Sequence, residues 1–239
     1  MGIYRSIFPN YSNTGDIALK NQSTLRKLVG ALGILLPLLV FLFLKIANGF
    51  DLVLPSISHY YFTRAGSLFE IIVSLLAVFL LVYKGEQPID FALSSIAGIS
   101  ALLMLLFPTS NLRGYNNSTK YDPVAVTFFN ESAFRPKFHY ACAALFLLCL
   151  ATMALFVFTK SSQPPARRTL NKRKRNRIYR TCGVIMLAAL CVAFAGFLKI
   201  IPSGFYDANH LTFWMETLSV EAFGVAWMVK GEIVLKDKK

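Results

Sequence analysis

The stretch 28-LVGALGILLPLLVFLFLKIA-47 decides the fold. Lys45 is its only ionisable residue, and it matches the roughly 20 residues of helix that cross a hydrocarbon core. It does not read as a cleaved leader: 27 residues precede it, it is about twice the length of a leader's apolar core, and no small-residue cleavage pattern follows at Lys45-Ile46-Ala47-Asn48. Pro37 costs one intrahelical bond and predicts a kink, which a membrane helix tolerates when neighbours satisfy the freed carbonyl.

Five more apolar runs follow, near 66–83, 89–107, 138–158, 181–201 and 211–229. With 55% hydrophobic and 15% charged residues, the chain is far poorer in charge than a soluble domain at roughly 25%. Backbone groups in lipid must be satisfied within each segment, and runs of this length suit helices rather than the alternating strands of a barrel. The expectation is an all-α, integral membrane six-helix bundle over 28–229. A polar segment 1–27 precedes it and a short tail 230–239 follows.

Basic residues set the predicted orientation, because short Lys/Arg-rich loops stay in the cytoplasm. Eighteen of the 25 fall on the side of both termini, among them Arg5, Lys20, Arg26, Lys27, Lys84 and nine between Lys160 and Arg180. Seven fall opposite: Lys45, Arg64, Arg113, Lys120, Arg135, Lys137 and Lys199. Both termini are therefore expected in the cytoplasm of a plasma or bacterial inner membrane. The net charge of +13 raises nucleic acid as a partner. Yet 167-RRTLNKRKRNRIYR-180 abuts the fifth run, and only Tyr179 offers a ring for stacking, so the cluster predicts anionic headgroups instead. Arg167, Arg168, Lys172, Arg173, Lys174, Arg175 and Arg177 are the expected lipid contacts.

Cys142, Cys149, Cys182 and Cys191 all fall in the fourth and fifth runs, which is no disulfide framework. They read as small packing residues beside Gly30, Gly33, Ser94, Gly98 and Gly183, where helices approach closely. The long connector 108–137 is polar first and apolar later, so Val124–Phe129 is expected to fold back on the bundle.

Chemistry-bearing residues gather on the outward side. The doorway 55-PSISHYYFTRAGSLFE-70 holds Ser58, His59, Tyr60 and Glu70, and His139 and His210 open the fourth and sixth runs. Three imidazoles on one side define a candidate zinc site, with an open position for water. Carboxylates within spans face bundle interiors. Glu221 shares a helical face with His210, Trp214 and Thr217, and that face is predicted inward; Glu216 lies about two-thirds of a turn away. Glu70 shares a face with Ser67 and Ser74. The tryptophans and most tyrosines read as interfacial belts.

Pro55, Ile57 and Ser58, then Gly66 and Phe69, His139, and Trp214 with Glu216 together resemble the six-span DRAM/Sfk-type (Frag-like) membrane proteins and related bacterial families. That family usually follows its Ile-Ser with an acidic residue, where this chain has His59. The resemblance implies a multi-pass protein of lipid handling or membrane organisation and supplies no catalytic residues. A second likeness, through Ser58, His59 and Glu70, is to intramembrane zinc hydrolases of the alkaline ceramidase and adiponectin-receptor type. Those have seven spans and a His-x-x-x-His pair, whereas Trp214 stands four residues after His210.

The leading expectation is a non-enzymatic protein whose outward cluster binds a lipid headgroup or small ligand, or organises the bundle. The alternatives are a zinc-dependent intramembrane hydrolase of lipid or amide bonds, and an oligomeric pore lined by Glu70 and Glu221.

Overall fold

The computed structural model describes residues 14–235 apart from Lys84, Glu86 and Ser162. Arg5, Lys84, Lys236, Lys238 and Lys239, counted above for orientation, lie outside the described residues, as do positions 1–13 of the expected lead-in. Every regular element among the described residues is helical. The long helices are α1 (Thr14–Asn48), α2 (Gly66–Val82), α3 (Pro88–Leu106), α4 (Phe134–Thr152), α5 (Leu170–Phe197) and α7 (Leu211–Lys230). A short α6 (Ser203–Ala208) precedes α7, and Met153–Val157 prolongs α4 as a π-helical turn.

Local chemistry places several boundaries. Pro88 occupies the first turn of α3, where its missing N–H costs nothing, and the Asp90 carboxylate accepts the Gln87 N–H at 3.1 Å. The Thr169 hydroxyl accepts the Lys172 N–H at 3.1 Å and starts α5. That start is eleven residues ahead of the apolar run expected at 181, because Lys and Arg are good helix formers and carry the helix past the edge of the apolar segment. Likewise α1 is already helical at Thr14, the first described residue, and takes in half of the expected polar lead-in.

Four helical segments are long and apolar enough to cross a membrane: Ser23–Asn48, Pro88–Leu106, Phe134–Val157 and Leu170–Phe197. Helix α2 is apolar but shorter, and α7 carries two glutamates. Outward faces are apolar too. Ile71, Leu75 and Val78, spaced four and three residues apart along α2, are each more than half exposed, and Ile46 of α1 is 84% exposed. Contiguous greasy surface of this extent is not kept by a soluble monomer and is what lipid covers.

Neighbouring helices close a circuit, α1–α2–α3–α4–α5–α7 and back to α1. Glycines set the tightest seam. A Cβ added at Gly30 would meet the Gly224 carbonyl at 2.7 Å, and one at Gly224 would meet the Gly30 carbonyl at 2.6 Å. A Cβ added at Gly98 would come as close to the Ala77 carbonyl of α2, at 2.8 Å. The small residues picked out in sequence therefore do bring backbones together.

At one end of the circuit the core is aromatic. Trp227 is fully buried, with the rings of Phe79, Tyr83 and Phe158 each 5.1 Å away and edge-on. This corrects the belt reading for Trp227, whose position on α7 turns it into the bundle. Close by, Lys160 donates to the buried Asp90 carboxylate and to Gln87, both at 2.7 Å, tying the end of α4 to the start of α3.

Candidate functional site

The other end of the circuit is closed by the doorway segment. Between α1 and α2 the chain turns in, and Ile57–Phe62 forms a 3-10 helix whose Ile57, Ser58, His59, Tyr60 and Phe62 are all buried. A helix end in a water-poor place needs partners for its first N–H groups. Here they come from a distance: the Glu216 carboxylate of α7 accepts the Ile57 N–H at 2.7 Å and lies within hydrogen-bonding reach of the Ser58 N–H. A carboxyl oxygen placed there satisfies donors at the helix start that water does not reach. The far side of the segment is held by the connector, whose Val126 N–H donates to the Phe62 carbonyl at 2.8 Å. Of the expected fold-back Val124–Phe129, Val124 and Ala125 are buried there, while Val126, Phe128 and Phe129 stay exposed.

His59 is 2% exposed. Its Nδ1 pairs with the Ser56 hydroxyl at 2.6 Å, its Nε2 faces the Ser110 hydroxyl at 3.4 Å, and its ring lies edge-on to Tyr115 at 4.8 Å. Burial, and after it the nearby His139, pushes its pKa down to about 3, so the ring is neutral at physiological pH. Tyr60 is fully buried; its hydroxyl points toward the Leu54 backbone without reaching good hydrogen-bond geometry.

The three histidines do not come together as a metal centre. His139 Nδ1 faces the carbonyls of Met104 (3.1 Å) and Phe107 (3.0 Å), so that nitrogen carries the proton and closes off the last turn of α3. His210 sits apart at the N-cap of α7, in a left-handed conformation with φ of 48°. Among the described residues no group of three or more His, Cys, Asp or Glu side chains is placed to hold a metal ion. The zinc arrangement expected of His59, His139 and His210 is thus corrected: each ring is committed to its own local partners or surface.

The inward face of α7 also differs from the expectation. Trp214 is 48% exposed, and Glu221 is half-buried with no hydrogen bond or ion pair among the described residues. The residues that enter are Phe213, Thr217, Val220, Phe223 and Trp227, and the Glu216 carboxylate goes with them. Glu70 is half-buried on α2 near Tyr61, likewise without a hydrogen bond among the described residues. Only Ser58, His59, Tyr60 and Glu216 of the proposed ligand set meet in one place, and they meet as a sealed plug.

A cleft of about 180 Å³ opens directly above that plug. Pro55, Tyr115, Lys120, Tyr206, Asp207, His210 and Thr212 line it, brought together from the connector, α6 and the start of α7. Thr212 donates to the Tyr206 hydroxyl at 3.1 Å, and Asn116 donates to the Asp207 carboxylate at 3.1 Å. Lys120 rests over the Tyr121 ring at 5.1 Å. His210 is held below its ordinary pKa by burial and then by Lys120, so Lys120 supplies the positive charge of the cleft. Burial raises the pKa of Tyr115 and Tyr206, which keeps both as neutral donors. Sequence reasoning reached His210 and passed over Lys120 and Asp207. The one signal for Lys120 was the density of Tyr and Asn at 115–121, and Asp207 had none.

The arginine cluster divides as well. Arg175 is 8% exposed and donates to the Leu235 carbonyl at 2.7 Å, and Lys172 donates to the Phe158 carbonyl at 3.3 Å. Arg175 is thus turned into the protein, which removes it from the expected lipid contacts, and Lys172 is half-buried beside it. Arg167, Lys174 and Arg177 are exposed, with Arg173 and Arg168 beside them.

A chain whose described elements are all helical, with four span-length apolar helices and a greasy outer surface, is a membrane protein. No family model, no curated protein and no solved structure matches it.

Proposed function

We propose that the protein is a non-enzymatic, six-span membrane protein that holds a small zwitterionic headgroup in the cleft above its plug. In this reading α2 and α7 cross the bilayer with the four longer segments, both termini are cytoplasmic, and the cleft faces outward. The unequal division of basic residues supports that orientation, and the resemblance of its short motifs to DRAM/Sfk-type proteins is in keeping with a role in lipid handling.

The observation that carries the proposal is the pairing of Lys120 and Asp207 across one cleft among neutral tyrosines. The ammonium suits a phosphate, and the carboxylate with the aromatic faces suits an amine. At about 180 Å³ the cleft is below the size of pockets that enclose drug-like ligands, and it fits a headgroup rather than a whole lipid. Below it, Ser56 and His59 are paired but only 4% and 2% exposed, and a pKa of about 3 makes His59 a weak base, which disfavours hydrolysis there.

Dioctanoyl phosphatidylethanolamine titrated into detergent-purified protein tests this. Saturable binding, weakened about tenfold in Lys120→Ala and again in Asp207→Asn, is the expected result. Binding that ignores both substitutions sinks the proposal, as does cysteine labelling that puts positions 118 and 174 in one compartment.

A further inference from the structure

A second lined space lies at the opposite end of the molecule, on α5. It is a groove of about 700 Å³ walled by Arg168, Arg173, Arg177 and Arg180, floored by Asn176 and running onto Thr181, Val184 and Ile185. Positions 173, 177, 180 and 184 lie four, three and four residues apart, so one helical face carries three guanidiniums and then turns apolar. From Arg173 to Val184 the rise is about 16 Å, at about 1.5 Å per residue. Val184 is 59% exposed and Ile185 38%.

Like charges stacked at this spacing repel one another, and no carboxylate lines the groove to offset them. Arg168 and Arg173 each donate to a carbonyl of the preceding connector, Gln163 at 3.2 Å and Ala166 at 3.1 Å. Arg177 and Arg180 are exposed and have no hydrogen bond or ion pair among the described residues. Asn176 is 6% exposed; its Nδ2 donates to the Thr159 carbonyl at 3.1 Å, and its Oδ1 has no hydrogen-bond partner among the described residues. The groove thus offers forked donors for a phosphate, one unused acceptor beneath them, and an apolar ramp leading away.

We infer that this groove seats an anionic phospholipid with a hydroxylated headgroup. Its phosphate lies on Arg177 and Arg180, a headgroup hydroxyl donates to Asn176 Oδ1, and an acyl chain runs over Val184 and Ile185. A free phosphate or a nucleic acid would use the guanidiniums and leave the apolar ramp idle. A lipid uses the whole gradient. The site does not depend on the cleft above the plug, since it shares no residue with it.

The test titrates three probes into the full chain in non-ionic detergent: dioctanoyl phosphatidylglycerol, dioctanoyl phosphatidylmethanol, which has the same charge and no hydroxyl, and sn-glycerol 3-phosphate. Phosphatidylglycerol is expected to bind tightest, at least threefold ahead of phosphatidylmethanol, with glycerol phosphate weakest. The double variant R177Q/R180Q should lose at least tenfold, while Lys137→Gln, at the exposed start of α4, should bind as the unaltered protein does. Asn176→Ala should close the gap between the two lipids. Should that variant fail to fold, the gap measured on the unaltered chain still decides the role of the hydroxyl. Indifference to R177Q/R180Q overturns the inference. So does parity between the two lipids, or glycerol phosphate binding as tightly as phosphatidylglycerol.

Discussion

The two ends of the helical circuit are closed by opposite chemistry. At the plug end, a buried 3-10 helix is held by directed hydrogen bonds from Glu216, Ser56 and Val126. At the arginine end, backbones touch at Gly30 and Gly224, and rings crowd Trp227, whose indole N–H has no hydrogen-bond partner among the described residues. Directed bonds fix one register and fail sharply when a partner is lost, whereas each dispersion contact among rings is small and its loss is shared among several neighbours. The plug end is therefore built for definition and the arginine end for cohesion.

Overfilling the glycine seam is the hardest blow to that contrast. Gly30→Leu forces a side chain into the Gly224 carbonyl and should cost about 3 kcal/mol or more, read as a collapsed melting temperature and loss of monodisperse protein in detergent. An unchanged melt would mean that α1 and α7 are not in backbone contact. Next comes the plug. Glu216→Ala removes the acceptor of the Ile57 N–H and should cost about 2–3 kcal/mol, while Glu216→Gln keeps a neutral acceptor and should lose about half as much. Equal losses in the two variants would show that shape, not the bond, matters there.

Protons probe the same end more gently. His59 has a pKa of about 3 in the folded chain, below the ordinary value of 6.5, so the unfolded state takes up the proton first as pH falls. Stability from this group is complete above pH 6.5 and declines from there toward pH 3; at pH 5 the loss is about 2 kcal/mol. The fall in melting temperature between pH 7 and pH 5 should shrink in His59→Gln, and an undiminished fall would assign the proton elsewhere. The smallest effect is expected at the ring cluster. Trp227→Phe gives up no hydrogen bond and should cost about 1 kcal/mol, by thermal melting against the unaltered chain. A loss as large as that of Glu216→Ala would erase the distinction between the two ends.

Composition and apolar runs made the helical membrane character legible, because each span must bury or expose its own side chains whatever its neighbours are. Starts were less legible: α5 reaches back to Leu170 since basic residues extend a helix beyond the lipid-facing part. The plug was hidden for a different reason. A six-residue 3-10 helix has no period to detect, and the partner of Ile57 stands 159 residues away. The face of α7 was misjudged because Trp214 and Glu221 share a stripe with Thr217, although only Thr217 is buried. Arg175 looked like a lipid contact until the chain near Leu235 folded over it.

The Glu216 cap also sets an order of assembly. Helix α7 supplies both the carboxylate that holds the doorway turn and the glycine that meets α1, yet it is the last of these helices to leave the ribosome. Residues 57–62 are translated early and must wait, unanchored, while some 150 further residues are made. Any chaperone or insertase that attends this protein during synthesis would find its client open at the doorway, with the late-arriving helix acting as the latch.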